Sequence, residues 1–320
     1  MSSTGIYFWR LPICLSSDLV RTVHQDWKKQ YLPIHKPHFM KSFLILNLIF
    51  LFTGQLLAQD SLQHKIDSIT REGKLLYQSE MASWYGTDIF LERYKNRENI
   101  GGYLSYMDGD VPTCIFFSRG DNPGVIGTIR FDSTYSVKSA RVDLAARDFS
   151  ASEKNLFGFR KAALNVVNSG DTLFKFYDNS SYNLIPVTSN GERKVYILSG
   201  PNQNGVVLFG NDYLLKFDDQ DKLLSKRRLH KNMIAIEYGK NKRDTAEVVT
   251  VHSHLPETGD LMTATDVGTL LLYSRIAGWQ QHLVVSEKYI NIWDSDKGTF
   301  IAITQEAARK ILGNSNPENH

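Results

Sequence analysis

A mixed α+β fold is predicted by three features of the sequence. Apolar residues recur at helical spacing over residues 60–82, from about 150, and over about 263–278. Between these lie short runs rich in β-branched and aromatic residues, separated by turn sequences such as Met107-Asp108-Gly109-Asp110 and Ser189-Asn190-Gly191-Glu192. The last third reads strand–helix–strand–strand–strand–helix. An N-terminal helix with antiparallel sheets, followed by a second α+β region, is the arrangement expected.

The helical reading starts after a leader. Residues 1–39 show no helical or strand period, and Met40-Lys41 opens an apolar run, Phe43 to Phe52, that ends in Leu57-Ala58-Gln59-Asp60. One basic residue, a short apolar core and a small residue before a polar start are the parts of a secretory signal peptide. The run is shorter than the roughly 20 residues of a spanning helix. The sequence therefore predicts a start at Met40, with residues 1–39 an upstream misread, residues 40–58 a signal peptide, and a mature protein that is exported, periplasmic or extracellular, with no transmembrane span. The 320 residues carry 37 basic and 34 acidic side chains; residues 1–58 hold six and two of them, leaving 31 and 32, a net of −1. No nucleic-acid or anionic-membrane partner is implied. Only Cys114 remains after the leader, which excludes an intrachain disulfide, and its apolar neighbours predict a buried small hydrophobe.

In the first helix, Leu62, Ile66, Ile69, Leu76 and Met81 form the apolar stripe, weakly interrupted at Gly73. Strands are expected at 102–106, 113–117 and 125–131, then a helix with Ser152 as N-cap and Leu156, Phe159, Ala163, Val166 and Val167 on one face. Further strands follow at 173–177, 184–187, 194–198, 205–210, 213–217 and 223–227, with Asp218 to Asp221 a solvated turn rather than a calcium loop. Residues 233–238 are expected to pair with a strand at 247–254. A boundary near 190 divides a region 59–189 of unassigned role from 190–320.

The residues that carry chemistry lie in His252-Ser253-His254, followed by Thr263 and Asp266. Residues i and i+2 of a strand share a face, so both imidazoles point to one place. Asp266 falls in the first turn of the next helix. Two histidines and one carboxylate leave a fourth position for water, the usual arrangement of catalytic zinc. Thr263 and Asp266 also have the spacing of a capping box, hydroxyl at the N-cap and acid three residues on. Glu257 and Asp260 are alternative carboxylate ligands, and His282 is either a fourth ligand or a surface histidine.

This set resembles the signature of the JAMM/MPN (JAB-domain) metalloprotease family: His-x-His, a spacer, a hydroxyl residue and Asp at a helix start. The resemblance covers about 190–312 and implies a curved mixed sheet flanked by helices, with His252, His254 and Asp266 binding zinc. It implies that Thr263 takes the place of a serine that steadies the tetrahedral intermediate. Proline comes one residue late, at Pro256, and the spacer holds eight residues rather than seven. The family's upstream glutamate, its general base, has no counterpart in Gly205 to Gly210; Glu192 and Glu237 are the candidates for that role. The Ala58-Gln59 junction resembles the signal-peptide ends of exported proteins of Bacteroidetes-type bacteria. Two functions follow: a zinc-dependent hydrolase of amide or isopeptide bonds acting on an envelope peptide or protein, or a non-catalytic envelope binding or scaffold protein that keeps the frame with a degenerate site.

Overall fold

The computed structural model describes residues 39–239 and 249–314, with side chains from 60 to 239 and from 249 to 311. The expected misread start and signal peptide lie outside the residues whose side chains are described. Residues 56–320 form one compact unit, and the fold is mixed α+β, with four α-helices and four sheets among the described residues. No helix among the described residues is long and apolar enough to cross a membrane.

Helix α1 (Phe39–Arg93) runs further than the predicted end at 82. The reason is a second buried patch: Ala82, Ile89 and Phe90 join Cys114, Phe116 and Ile129 in one apolar cluster, and Phe90 stacks on Phe116 with ring centroids 3.9 Å apart. The cluster draws on all four strands of a meander, β1 (Ile100–Asp108), β2 (Val111–Ser118), β3 (Val125–Arg130) and β4 (Arg141–Asp143), all antiparallel. Cys114 is fully buried there, and burial pushes its thiol pKa up.

Helix α2 (Ala151–Val167) is capped by Ser150, not Ser152. Glu153 decides this: its backbone N–H donates to Ser150 Oγ, its carboxylate accepts from Ser150 N, and Arg147 holds the same carboxylate at 2.7 Å. The next sheet has the order β5 (Ser180–Ser189), β6 (Glu192–Pro201), β8 (Tyr213–Phe217), β9 (Leu223–Arg228). The β5–β6 turn holds Asn190 and Gly191 at φ 53° and 73°, the left-handed pair of a two-residue hairpin. The expected boundary near 190 falls in this turn, between strands paired from Ser180↔Pro201 to Ser189↔Glu192. The predicted strand 173–177 is a loop, because side chains take its backbone groups: Lys175 N donates to Tyr213 Oη, and Lys175 O accepts from Tyr182 Oη and Asn211 Nδ2.

β7 (Val206–Gly210) pairs with β10 (Met233–Glu237), not β10 with the histidine strand. β11 (Val249–Ser253) instead runs parallel to β12 (Gln281–Val285), which continues antiparallel into β13 (Tyr289–Asp294) and β14 (Thr299–Thr304). A parallel neighbour needs a crossover, and α3 (Ala264–Ala277) supplies it; α4 (Gln305–Asn314) closes the chain. Val207, Phe209, Val267, Leu270, Val284 and Trp293 share one core with Ile66 of α1. Ile276, expected in that face, is 59% exposed, and Leu272 is buried instead.

Gly73 explains itself here. A Cβ on it would lie 2.5 Å from Val267 Cγ1 and 3.0 Å from Ala264 O, so α1 touches the first turns of α3 at this point. Gly73→Ala is expected to destabilise the fold by about 1–3 kcal/mol through overpacking, although alanine is the better helix former by about 1 kcal/mol. Chemical denaturation of the two proteins checks this.

Candidate metal centre

Three elements converge on one point. β11 sends His252 and His254 to the same side, the start of α3 brings Asp266, and the loop between β9 and β10 brings His230. The ligand-capable atoms of these four residues all lie within 4.8 Å of one another, so this buried group could hold a metal ion. Asp266 Oδ1 is 3.4 Å from His230 Nε2 and 3.6 Å from His252 Nε2, while Oδ2 is 3.2 Å from His254 Nε2. His230 and His254 present their Nε2 atoms to each other at 3.1 Å. The side chains of His252, His254 and Asp266 are at most 1% exposed, and that of His230 is 9% exposed.

Each ring is oriented from behind by its Nδ1. His230 Nδ1 meets Asp212 Oδ1 at 2.7 Å, and Thr265 donates to the other oxygen of Asp212. His254 Nδ1 faces Gly259 O at 3.3 Å. His252 Nδ1 is 2.8 Å from His282 Nε2, and His282 Nδ1 is 2.7 Å from Thr250 Oγ1. If His282 donates to Thr250, then His252 donates to His282 and its Nε2 carries a bare lone pair. That Nε2 is buried and has no hydrogen-bond partner. A buried acceptor without a partner is costly, and a cation among the four residues removes the cost. Backing by a carboxylate, as at His230, or a backbone carbonyl, as at His254, is what metal-binding histidines have; at His252 an imidazole takes that place.

Electrostatics agree with that fit. Although burial opposes it, His230 is raised well above its ordinary pKa by the carboxylates of Asp212 and Asp266. Against the same opposition from burial, Asp266 is held well below the usual carboxylate range by His230, His254 and His252. Burial lowers His252 to about 4 and puts His282 well below 6.5. In the metal-free chain a proton on His230 therefore takes the place of a cation. Metal uptake is expected to expel it, which calorimetry in buffers of different ionisation enthalpy measures as about one proton released per ion bound. Between pH 6.5 and 4 the unfolded chain binds a proton at His252 that the folded chain refuses, so His252 contributes metal-free stability that rises with pH across that window; His282 adds to it, and Glu80, raised to about 7 by burial, opposes it. His252→Gln is expected to make stability at pH 6.5 relative to pH 4.5 lower than in wild type, read from denaturation curves at the two pH values.

The three residues that sequence spacing assigns as ligands are thus brought together. His282 lies outside this group and is not a surface residue: it is 0% exposed and buttresses His252. Glu257 and Asp260 also lie outside the group; Glu257 is exposed near Lys231, and Asp260 pairs with Lys288 at 2.9 Å. Thr263 caps α3: its Oγ1 accepts from Asp266 N and donates to Asp266 Oδ2, and its N–H donates to Oδ2 at 2.7 Å. Its hydroxyl is thereby committed to the helix start. Glu192 is bound by Lys194 and Lys216 on the hairpin of the second sheet, and Glu237 lies exposed on β10 opposite Val206. Neither shares a hydrogen bond or ion pair with His230, His252, His254 or Asp266. The carboxylate that touches the centre from outside is Asp212, which spacing alone does not mark.

No protein-family model, curated protein or solved structure matches the chain.

Proposed function

We propose that the chain is an exported zinc-binding protein of the cell envelope, with His230, His252, His254 and Asp266 as a closed ligand set, and that it acts by binding or scaffolding rather than by hydrolysis. The observation that carries this is the place of His230: a fourth protein donor stands where a catalytic site keeps an open position for water. Three imidazoles and one carboxylate suit zinc by number and by donor type. Zinc bound there would supply positive charge and cross-link the β9–β10 loop, β11 and α3; the chain's own residues orient the rings and exclude water. A JAMM-like frame, degenerate at the glutamate, is in keeping with this reading.

Elemental analysis of the full chain, purified without a His tag, tests it. The expected result is about one zinc per chain, with a cobalt-substituted protein showing the absorption of four-coordinate metal without exchangeable water. Absence of metal after zinc addition would sink the proposal. His282→Ala is expected to keep the ion but to weaken its affinity by about 10–100-fold, measured against a chromophoric chelator.

One observation favours the hydrolase reading. The 2.7 Å contact of Asp212 with His230 Nδ1 orients this imidazole as a carboxylate orients a general base. In that case His252, His254 and Asp266 hold the ion, and the His230–Asp212 pair handles the proton in place of the missing glutamate. Exchangeable water on the cobalt protein, with amide hydrolysis lost on His230→Ala, is what this alternative requires.

A further inference from the structure

A groove of about 990 Å³ runs between α1 and the second sheet, against the loop that leads to α3. Its helix side is one face of α1, with Leu62, Lys65, Ile69 and Glu72 at helical spacing. Its sheet side follows the register: Lys194, Lys216 and Ser225 are cross-strand neighbours, as are Tyr196, Leu214 and Arg227. Met262, Thr263 and Lys288 close the third side.

Six cationic side chains line it, at Lys65, Lys194, Lys216, Lys226, Arg227 and Lys288. Four of these are paired with acids: Lys194 with Glu72 and Glu192, Lys216 with Glu192, Lys288 with Asp260, and Lys226 with Asp171. Lys65 and Arg227 have no ion-pair partner among the described residues. The groove is therefore positive on a chain whose mature part is near neutral, and its floor of Leu62, Ile69, Leu214 and Leu229 is apolar.

One boundary of the groove is a strand edge. β9 is last in the order β5-β6-β8-β9, and no described strand pairs with its other side. Neighbouring side chains of a strand point to opposite faces, yet Ser225, Lys226 and Arg227 all line the groove. The groove thus opens along the edge of the strand as well as over one face. A free edge beside a pocket with charged and apolar zones is how proteins take up an extended peptide.

We propose that the groove docks an extended acidic peptide, which adds as a strand to β9 and turns its carboxylates toward Lys65 and Arg227. This rests on reading the chain as a metal-stabilised binding protein, because one wall belongs to the metal-bearing segment: Gly259 faces His254, and Thr263 caps Asp266. That wall is fixed on its other side as well, where Asn291 Nδ2 and Ser286 Oγ both donate to Asp260 O.

The test uses the full zinc-loaded chain and a fluorescein-labelled octapeptide of alternating glutamate and valine, read by anisotropy. The acidic peptide is expected to bind, a lysine–valine peptide is not, and binding is expected to weaken with salt. The K65E/R227E double variant is expected to lose about tenfold or more in affinity while its zinc content stays unchanged. Two further peptides carry N-methyl groups at alternate residues, in the odd or the even register. Strand addition requires that one register abolishes binding and the other is tolerated. No binding of the acidic peptide, equal binding by the double variant, or equal binding by both methylated peptides would overturn the proposal while leaving one zinc per chain in place. A chain that holds no zinc but binds the peptide in this pattern keeps the groove and loses the metal reading.

Discussion

Replacing His230 with alanine is expected to leave a chain that still takes up zinc, but about a hundredfold or more less tightly and with one position open to water. The remaining donors explain why binding survives. His252 and His254 keep their backing from His282 and Gly259, and Asp266 keeps its hydrogen bonds to Thr263. Affinity falls because one of four donors is gone and the Asp212 carboxylate, 3–4% exposed, loses the imidazole at Oδ1 and keeps only Thr265 at Oδ2. Competition with a chelator measures the loss, and the cobalt spectrum reports the water. His230→Ala thus makes the open three-ligand site that spacing alone predicts. If the variant gains hydrolytic turnover, the fourth ligand is what silences the frame. If wild-type affinity persists, His230 is not a ligand at all.

Asp266→Ala is expected to have the largest effect on the fold. One carboxylate serves two structures: Oδ2 caps α3 through Thr263, and Oδ1 faces His230 and His252. Without metal, loss of the cap costs about 1 kcal/mol, and the loss of the anion beside a protonated His230 adds to that. With zinc at a thousand times its dissociation constant, the forfeited binding energy is about 4 kcal/mol more. The variant should therefore match wild type treated with chelator more closely than wild type with zinc. Asp266→Asn separates the two roles, because the amide oxygen can still cap while the charge is gone. Thermal melts of the three proteins, each with zinc and with chelator, give the comparison. Equal zinc-dependent stabilisation of wild type and Asp266→Ala would remove Asp266 from the centre.

What was legible in the sequence was local. His252 near the end of a strand with His254 one residue past it, and Thr263 and Asp266 three apart at a helix start, need only the geometry of one element each. The order of elements from β11 to α4 was legible for the same reason. His230 was not, because its place depends on a long-range pairing: β9 aligns on β8 and Leu229 N donates to Asp212 O, which delivers ring and carboxylate together. His282 carried a usable signal, since it shares the inward face of β12 with Val284, and both are fully buried. The partner of β10 was hidden because apolar alternation fits β7 and β11 equally well. The loop at 173–177 was misread because its apolar run gives no sign that Tyr213, Tyr182 and Asn211 occupy its backbone.

The way the rings are held also sets a traffic rule. All three imidazoles are aimed before any ion arrives, so uptake needs no search among rotamers. All four donors are buried, and His230, on a connecting loop, has the least covered side chain, 9% against at most 1% for the others. Should the four residues hold an ion, the His230 side is the less enclosed one, and the turn there is tied down by Leu229 N donating to Asp212 O. The four donors thus form a pre-shaped, buried cage, closed on three sides by β11 and α3 and on the fourth by a connecting loop.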